Sequence, residues 1–345
     1  MKLSSKKSLL GSAIASSMLL AACGGGGDSG NSGSTASTFS NTQIAPSITV
    51  SNAKDVGAQA YSGADELSSQ VSTGSGLLTG VSTTTDNSSL IDTTLRQLHL
   101  AFDKPVPNLA VGVSASNTES CSGGGTVSIS YNIANTSNLS AGDTISMTSN
   151  NCVENGAKVN GTLKVVVNSF SGTFSENSAW NASFGIIYSN FSIEAGGMAD
   201  TANGDLTLTY NQTSLNVNSF SASGKSLQVR NVKGSSITNR TITNYTYSGS
   251  LNSSGTYTYR TNFTLSGNLG KLGNASYTVK TITDFTQQAD SFPSSGALLV
   301  IAPDNSSVTL TVLNPTTVQL AVDKNGDGTI DETTTTTWSE LNSLL

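Results

Sequence analysis

Apolar and polar residues alternate with a period of two through most of the chain from about residue 109 onward. The clearest runs are Leu163, Val165 and Val167; Leu206, Leu208 and Tyr210; Val308, Leu310 and Val312; and Val318, Leu320 and Val322. The residues between them are mostly Ser, Thr, Asn or Lys. This alternation is typical of antiparallel strands with one buried face and one wet face. The sequence therefore predicts a mainly β fold for residues 109–345, an antiparallel meander of hairpins that forms a curved sheet or a sandwich.

One segment before this region has a helical period instead. Between Asp86 and Ala101, apolar residues recur three or four positions apart, at Ile91, Leu95, Leu98 and Phe102. Asp86 or Asn87 can cap this helix, and Pro105 and Pro107 end it. His99 lies beside the stripe, and we predict a structural role for it. Residues 59–108 are therefore expected to be a helical or irregular lead-in to the β region.

The first 22 residues are typical of a signal peptide, with Lys2, Lys6 and Lys7 before a short apolar stretch from Leu9 to Leu20. That stretch is too short to span a bilayer. It ends in Leu20-Ala21-Ala22-Cys23, which resembles the lipobox of bacterial lipoproteins. The alternative is an ordinary secretory signal with a chance cysteine.

The lipobox resemblance implies that the thiol of Cys23 carries acyl chains such as palmitate and becomes the mature N terminus. Because Gly24, and not Asp, follows the cysteine, it also implies the outer membrane. The next residues, Gly24 to Thr38, are almost wholly small and polar. Such a composition predicts a flexible tether, to which we assign residues 23–58. The side of the membrane that the tether faces stays open.

Composition narrows the classes of function. Ser, Thr, Asn and Gly make up roughly half of the 345 residues, and only 11% are charged. The net charge is −6, and it becomes −9 when the three Lys of residues 1–22 are removed. This negative balance argues against nucleic acid as a partner, since phosphates require clustered Lys and Arg. The single His excludes any metal site that needs two His.

A weak internal repeat is present. Asn168-Ser169-Phe170-Ser171 recurs as Asn218-Ser219-Phe220-Ser221, and Asn160-Gly161 is echoed by Asn203-Gly204. The offsets are about 50 and about 43 residues, so the repeat is not that of a strict solenoid. A meander of similar hairpins explains it better.

Two cysteines remain after lipidation, Cys121 and Cys152. The cell envelope is oxidising, so we predict a disulfide between them. They flank a predicted hairpin, formed by strands at Thr126–Ile133 and Thr144–Asn151, and would meet across its open end. Their separation is unlike the close spacing of a catalytic thiol pair.

The most distinctive local motif is D-K-N-G-D-G-T-I-D at residues 323–331. It resembles calcium loops of the EF-hand kind, and more closely the shorter loops of thrombospondin type 3 repeats, dockerins and integrin α-chain blades. The twelfth position is Thr334 and not Glu, and strands flank the loop instead of helices. The resemblance implies calcium in a structural role. Its ligands would be Asp323, Asn325, Asp327, Asp331 and the carbonyl oxygen of Thr329. The alternative is a polar turn without an ion.

Four tyrosines lie two apart on two consecutive predicted strands: Tyr245 and Tyr247, then Tyr257 and Tyr259. A turn at 249–255 would place Tyr247 opposite Tyr257 and Tyr245 opposite Tyr259, on one face of the sheet. The two readings are packing into the core, which we favour, and an aromatic platform for a glycan ligand.

No nucleophile motif is present, and a Ser–His–Asp triad would depend on His99 alone. The chain resembles uncharacterised proteobacterial β-rich lipoproteins, a resemblance that implies no known activity. We therefore expect a lipid-anchored protein with a structural or binding role and no catalysis. The alternatives are a lipid-handling carrier with an apolar concave sheet, a glycan-binding adhesin and, least favoured, a hydrolase with buried carboxylates.

Overall fold

Fourteen antiparallel strands form one open sheet in the computed structural model of the chain. The structure describes residues 46–66, 113–134, 139–154, 156–173, 178–214, 217–288 and 291–345. The strands are β1 (Val113–Ser120), β2 (Thr126–Ile133), β3 (Thr144–Glu154), β4 (Ala157–Gly172), β5 (Trp180–Ala195), β6 (Met198–Ser214), β7 (Val217–Lys233), β8 (Ser236–Leu251), β9 (Thr256–Asn268), β10 (Asn274–Gln288), β11 (Ser295–Ile301), β12 (Ser307–Asn314), β13 (Thr317–Asp323) and β14 (Glu332–Thr337). Two helices, α1 (Ala53–Glu66) and α2 (Trp338–Asn342), and a 3-10 turn (Gly270–Leu272) are also described.

The spatial order of the strands equals their order in the chain, from β1 to β14. This confirms the predicted antiparallel meander. One face of the sheet, called the inner face below, carries the alternating apolar side chains. These residues belong to a single buried cluster that reaches from β2 to α2. The outward face carries the Ser, Thr and Asn side chains between them. The alternation in the sequence therefore separates a dry face from a wet one.

Helix α1 packs against the inner face at β9 and β11–β13. Most of its buried residues are small, with Ala53, Ala60 and Ala64 each at most 2% exposed. Gly63 lies so close to Phe263 that an added Cβ would be 3.1 Å from that ring. Small residues let the helix approach the strands closely. They also hide it from sequence analysis, which assigned residues 53–58 to the tether; the structure has them in a helix instead.

Polar contacts join α1 to β8 and to the C-terminal helix. The buried guanidinium of Arg240 in β8 donates from Nε (3.2 Å) and Nη2 (3.0 Å) to Oε1 of Gln59. Lys54 forms an ion pair with Glu340 of α2. Each contact joins residues far apart in the sequence, so α1 ties the late strands and the C-terminal helix together.

The Asn-Gly echo noticed in the sequence marks a recurring β-bulge. The side-chain oxygen of Asn160 accepts a hydrogen bond from the backbone N–H of Asn151, which has φ 48°. Likewise the oxygen of Asn203 accepts from Asn190, which has φ 47°. At Gly161 an added Cβ would lie 2.0 Å from the carbonyl oxygen of Asn190. Bulges increase the local twist of long strands, so the Asn-Gly part of the repeat affects the shape of the sheet.

Several predictions fall outside the described residues: the signal peptide, Cys23, the tether from Gly24 to Thr38, and the helix near 86–101 with His99. Within the described part of the chain, no helix has the length and apolar character needed to cross a membrane.

Candidate functional site

The predicted disulfide is present. Cys121 follows β1, Cys152 lies in β3, and their Cα atoms are 5.4 Å apart. Both residues are buried. Backbone hydrogen bonds between Gly123, Gly124 and Val153 hold the same two segments together. The bridge therefore joins the first hairpin of the sheet to β3.

A potential metal-ligating group lies at this bridge. Cys121, Cys152 and Glu154 form the one group of three potential ligands within 4.8 Å of one another that the described residues contain. The two sulfurs are bonded to each other, so neither is a thiolate that could bind a metal. The Glu154 carboxylate accepts hydrogen bonds from the N–H and hydroxyl of Ser122. This group is therefore a disulfide bond beside a hydrogen-bonded carboxylate.

The D-K-N-G-D-G-T-I-D loop connects β13 to β14, as predicted. Asp323 is 5% exposed, and its carboxylate accepts from three backbone N–H groups of its own loop. These are Asn325 (3.2 Å) and Gly326 (2.7 Å) at Oδ1, and Gly328 (2.8 Å) at Oδ2. Gly326 and Gly328 have φ values of 72° and 84°, which favour glycine. The loop is therefore wrapped around the Asp323 carboxylate.

The remaining predicted ligands lie in the same loop. Asp327 Oδ1 accepts from the Thr329 N–H at 2.7 Å, and this bond lowers the pKa of Asp327. Asp331 Oδ2 accepts from the Lys324 N–H at 2.7 Å. The Asn325 amide bonds to Asp327 through both its oxygen and its nitrogen. The three aspartates do not form a group with oxygens within 4.8 Å of one another, because each carboxylate faces backbone donors.

The four tyrosines lie on the inner face. Tyr245 and Tyr247 are each 1% exposed, Tyr259 is buried and Tyr257 is half-buried. Tyr247 stacks on Phe220 and Tyr259, with ring centroids 5.5 Å and 5.9 Å away. The Tyr245 hydroxyl donates to the carbonyl oxygen of Asp205, and burial raises its pKa. The tyrosines are therefore core residues, which is the reading that the sequence favoured.

Their predicted pairing was wrong. The turn between β8 and β9 is shorter than expected, and the Asn252 side chain closes it by accepting from the N–H groups of Ser254 and Thr256. As a result Tyr257 lies opposite Leu251, while Tyr259 lies opposite Gly249. The register differs from the prediction by an even number of residues. The rings therefore keep the predicted face although they change partners.

The inner face of the central strands is buried. Its largest side chains on the central strands, such as Phe184, Tyr188 and Tyr210, are at most 2% exposed. The Tyr210 hydroxyl has no hydrogen-bond partner among the described residues, and burial raises its pKa.

The outward face contains a cavity of about 330 Å³ that the sequence analysis did not find. It runs across β6 to β10 between two parallel rows of side chains. The first row is Asn211, Ser219, Ser250 and Thr258, and the second row is Thr209, Ser221, Ser248 and Arg260. The floor is formed at Phe220, Gly249 and Tyr259, and Asp284 lies at one end. We call this feature the outward groove.

Both rows extend beyond the cavity onto β4 and β5. Ser169 and Ser183 continue the second row, while Ser171 and Asn181 continue the first. The repeated Asn-Ser-Phe-Ser motif thus places two hydroxyls on this surface in β4 and two more in β7. The repeat was a visible signal, but its meaning required the strand register.

Comparison of the chain with protein-family models, curated proteins and solved structures found no significant match.

Proposed function

We propose that this chain is a lipid-anchored protein of the bacterial outer membrane, with a binding role carried by the outward face of its sheet. The anchor is the lipid on Cys23. One observation supports the binding role: the outward groove is an exposed cavity with walls of Ser, Thr and Asn side chains, whereas the apolar residues of the inner face belong to a buried cluster. The proposal includes no catalysis, because the chain has one His and no nucleophile motif.

Burial favours this role over two alternatives. A carrier of lipids needs accessible apolar surface, yet the inner-face residues belong to one buried cluster. A glycan platform on the four tyrosines needs exposed ring faces, and three of those rings are buried. Binding in the outward groove requires neither accessible apolar surface on the inner face nor exposed tyrosine rings. The side chains of its walls are exposed or half-buried.

The anchor is tested by labelling cells with radioactive palmitate. We expect label on the wild-type chain and its recovery with membranes, because acyl chains give stable attachment. Cys23→Ser should carry no label. The matched control is Cys121→Ala/Cys152→Ala, in which Cys23 is the only cysteine left and label should persist. Label that survives Cys23→Ser would show that the anchor has been assigned wrongly.

We also propose that the 323–331 loop binds calcium in a structural role. Asp323, Asn325, Asp327, Asp331 and the Thr329 carbonyl would supply oxygen ligands, which suit this ion. The ion would take the place of backbone N–H groups as partner of the carboxylates. Hydrogen bonding already lowers the pKa of Asp327, so this side chain is ionised at neutral pH.

Calcium should raise the melting temperature of the chain, because an ion that binds only the folded state stabilises it. The gain is about 2.7 kcal/mol at 100 times the dissociation constant. Magnesium at equal concentration serves as the control ion, since it demands stricter octahedral geometry. Asp327→Asn, an exposed substitution, should weaken the calcium effect. Equal melting temperatures in EDTA and in millimolar calcium would contradict the proposal.

A further inference from the structure

We infer that the outward groove binds a neutral glycan, with the Arg260–Asp284 pair contacting neighbouring hydroxyls of a sugar ring. This inference rests on the proposed binding role and names its ligand class. It involves a different face of the sheet from the four tyrosines.

The shape of the groove suits an extended ligand that lies across the strands. Neighbouring strands are about 4.8 Å apart, so the four steps from β6 to β10 span about 19 Å. The two rows are two residues apart along each strand, which separates them by about 6.8 Å. Small side chains on both sides leave the backbone at Gly249 as the floor. A chain of several sugar units has the length and width to fill this space.

The chemistry of the walls suits hydroxyl groups. Seven of the eight wall residues are Ser, Thr or Asn. Hydroxyl and carboxamide groups both donate and accept hydrogen bonds, as sugar hydroxyls do. Repeated at the spacing of the strands, they offer a ladder of partners to a repeating ligand. A ligand with hydroxyls along its whole length is the one that satisfies such a ladder.

Charge selects a neutral ligand. Arg260 is the one charged residue in the two rows, and Asp284 neutralises it at the end of the groove. Arg260 donates from both Nε (2.8 Å) and Nη2 to Oδ1 of Asp284. Oδ2 of Asp284 can therefore still accept a hydrogen bond, and Nη1 of Arg260 can still donate one. An acceptor beside a donor matches two adjacent hydroxyls, whereas a phosphate would need more positive charge.

The same observations disfavour other ligands. An acyl chain would leave the hydroxyl and amide groups of the two rows without hydrogen bonds. A protein partner usually buries aromatic or aliphatic anchors, and the wall side chains of the groove include none. Ser, Thr and Asn side chains favour a ligand that displaces water from them and forms hydrogen bonds in its place.

Binding is measured with the mature lipidated chain in a polyoxyethylene detergent, which contains no sugar to compete. The first arm is affinity electrophoresis through gels that contain dextran, mannan, amylose, galactan or a β-glucan, with alginate as the anionic probe. The second arm is co-sedimentation with detergent-washed envelopes of the native host. The variants are Ser250→Trp, which fills the groove, and Asp284→Asn, which removes a carboxylate without changing size. Ser130→Trp is the matched control, because Ser130 is an exposed residue on the outward face of β2. Circular dichroism verifies that each variant folds.

We expect at least one neutral polysaccharide to retard the wild type and Ser130→Trp. Ser250→Trp should weaken this retardation about tenfold or more, and Asp284→Asn should weaken it less. Retardation by alginate alone, or by none of the gels, would overturn the glycan inference. If Ser250→Trp still lowered envelope binding in that case, the proposed binding role would stand. If envelope binding were also absent or unaffected, the binding role of the groove would fail with it.

Discussion

Tyr247→Ala should lower the free energy of unfolding by about 3–5 kcal/mol, the usual cost of deleting a large buried aromatic ring. The ring is 1% exposed and stacks on Phe220 and Tyr259. Its hydroxyl also shares a 2.8 Å hydrogen bond with Tyr257. Deleting it therefore opens a cavity and removes this hydrogen bond. Urea unfolding measures the change as a lower midpoint.

The next residue supplies the control. Thr246 lies on the outward face and is exposed, so Thr246→Ala should change stability by less than about 0.5 kcal/mol. The pair separates the two faces of one strand. Equal midpoints for the two variants would contradict the placement of the tyrosines in the core.

Removal of the disulfide should cost about 3.5–4 kcal/mol, because Cys121 and Cys152 are 31 residues apart and the bridge closes a loop of that size in the unfolded chain. The change is Cys121→Ala/Cys152→Ala, which keeps the site apolar where both sulfurs are buried. Chemical denaturation of oxidised wild type and the double variant gives the difference.

Reduction provides an independent check. Dithiothreitol should lower the stability of the wild type toward that of the double variant and leave the double variant unchanged. If reduction altered both proteins equally, its effect would lie elsewhere than in this bridge. A double variant as stable as the oxidised wild type would show that backbone contacts such as Gly123 N–H to Val153 are sufficient on their own.

Two features of the sequence made much of the fold predictable: the alternation of apolar and polar residues, and the pair of cysteines. Runs such as Leu206 to Tyr210 gave the buried face of β6 directly, since alternation in a strand assigns each side chain to a face. The disulfide was predicted from the oxidising environment expected of a cell envelope and from the position of the two cysteines on either side of a hairpin. Helix α1 was not predicted because most of its buried positions are Ala and Gly, which form no apolar stripe even though they pack tightly.

The register between neighbouring strands was harder to predict than the face of the sheet on which each side chain lies. The β8–β9 hairpin turns through Asn252 to Gly255, and the side chain of Asn252 decides the length of that turn. A period of two is unchanged by a shift of any even number of residues, so it cannot distinguish Tyr247 opposite Tyr257 from Tyr247 opposite Thr261, four residues further along. The bulge at Asn244, with φ 49°, shifts the pairing further.

The outward groove depends wholly on register. Ser219 and Ser250 are neighbours because β7 and β8 pair with that alignment, and Thr258 joins them only through the corrected hairpin. In the sequence these residues are indistinguishable from the other polar positions of a wet face. The carboxylates at 323–331 are the opposite case, since one short motif carries the whole candidate site.

The agreement between chain order and strand order has a consequence for how the protein reaches its folded state. Each strand can join the growing sheet as soon as it follows its predecessor, and every such step closes only a short loop, which costs little entropy. Helix α1 is different: it is among the first folded elements to emerge, yet its strand contacts lie on β9 and β11–β13. Its ion pair with Glu340 spans 286 residues. The N-terminal helix must therefore wait for the end of the chain, and its docking completes a sheet that can otherwise form hairpin by hairpin.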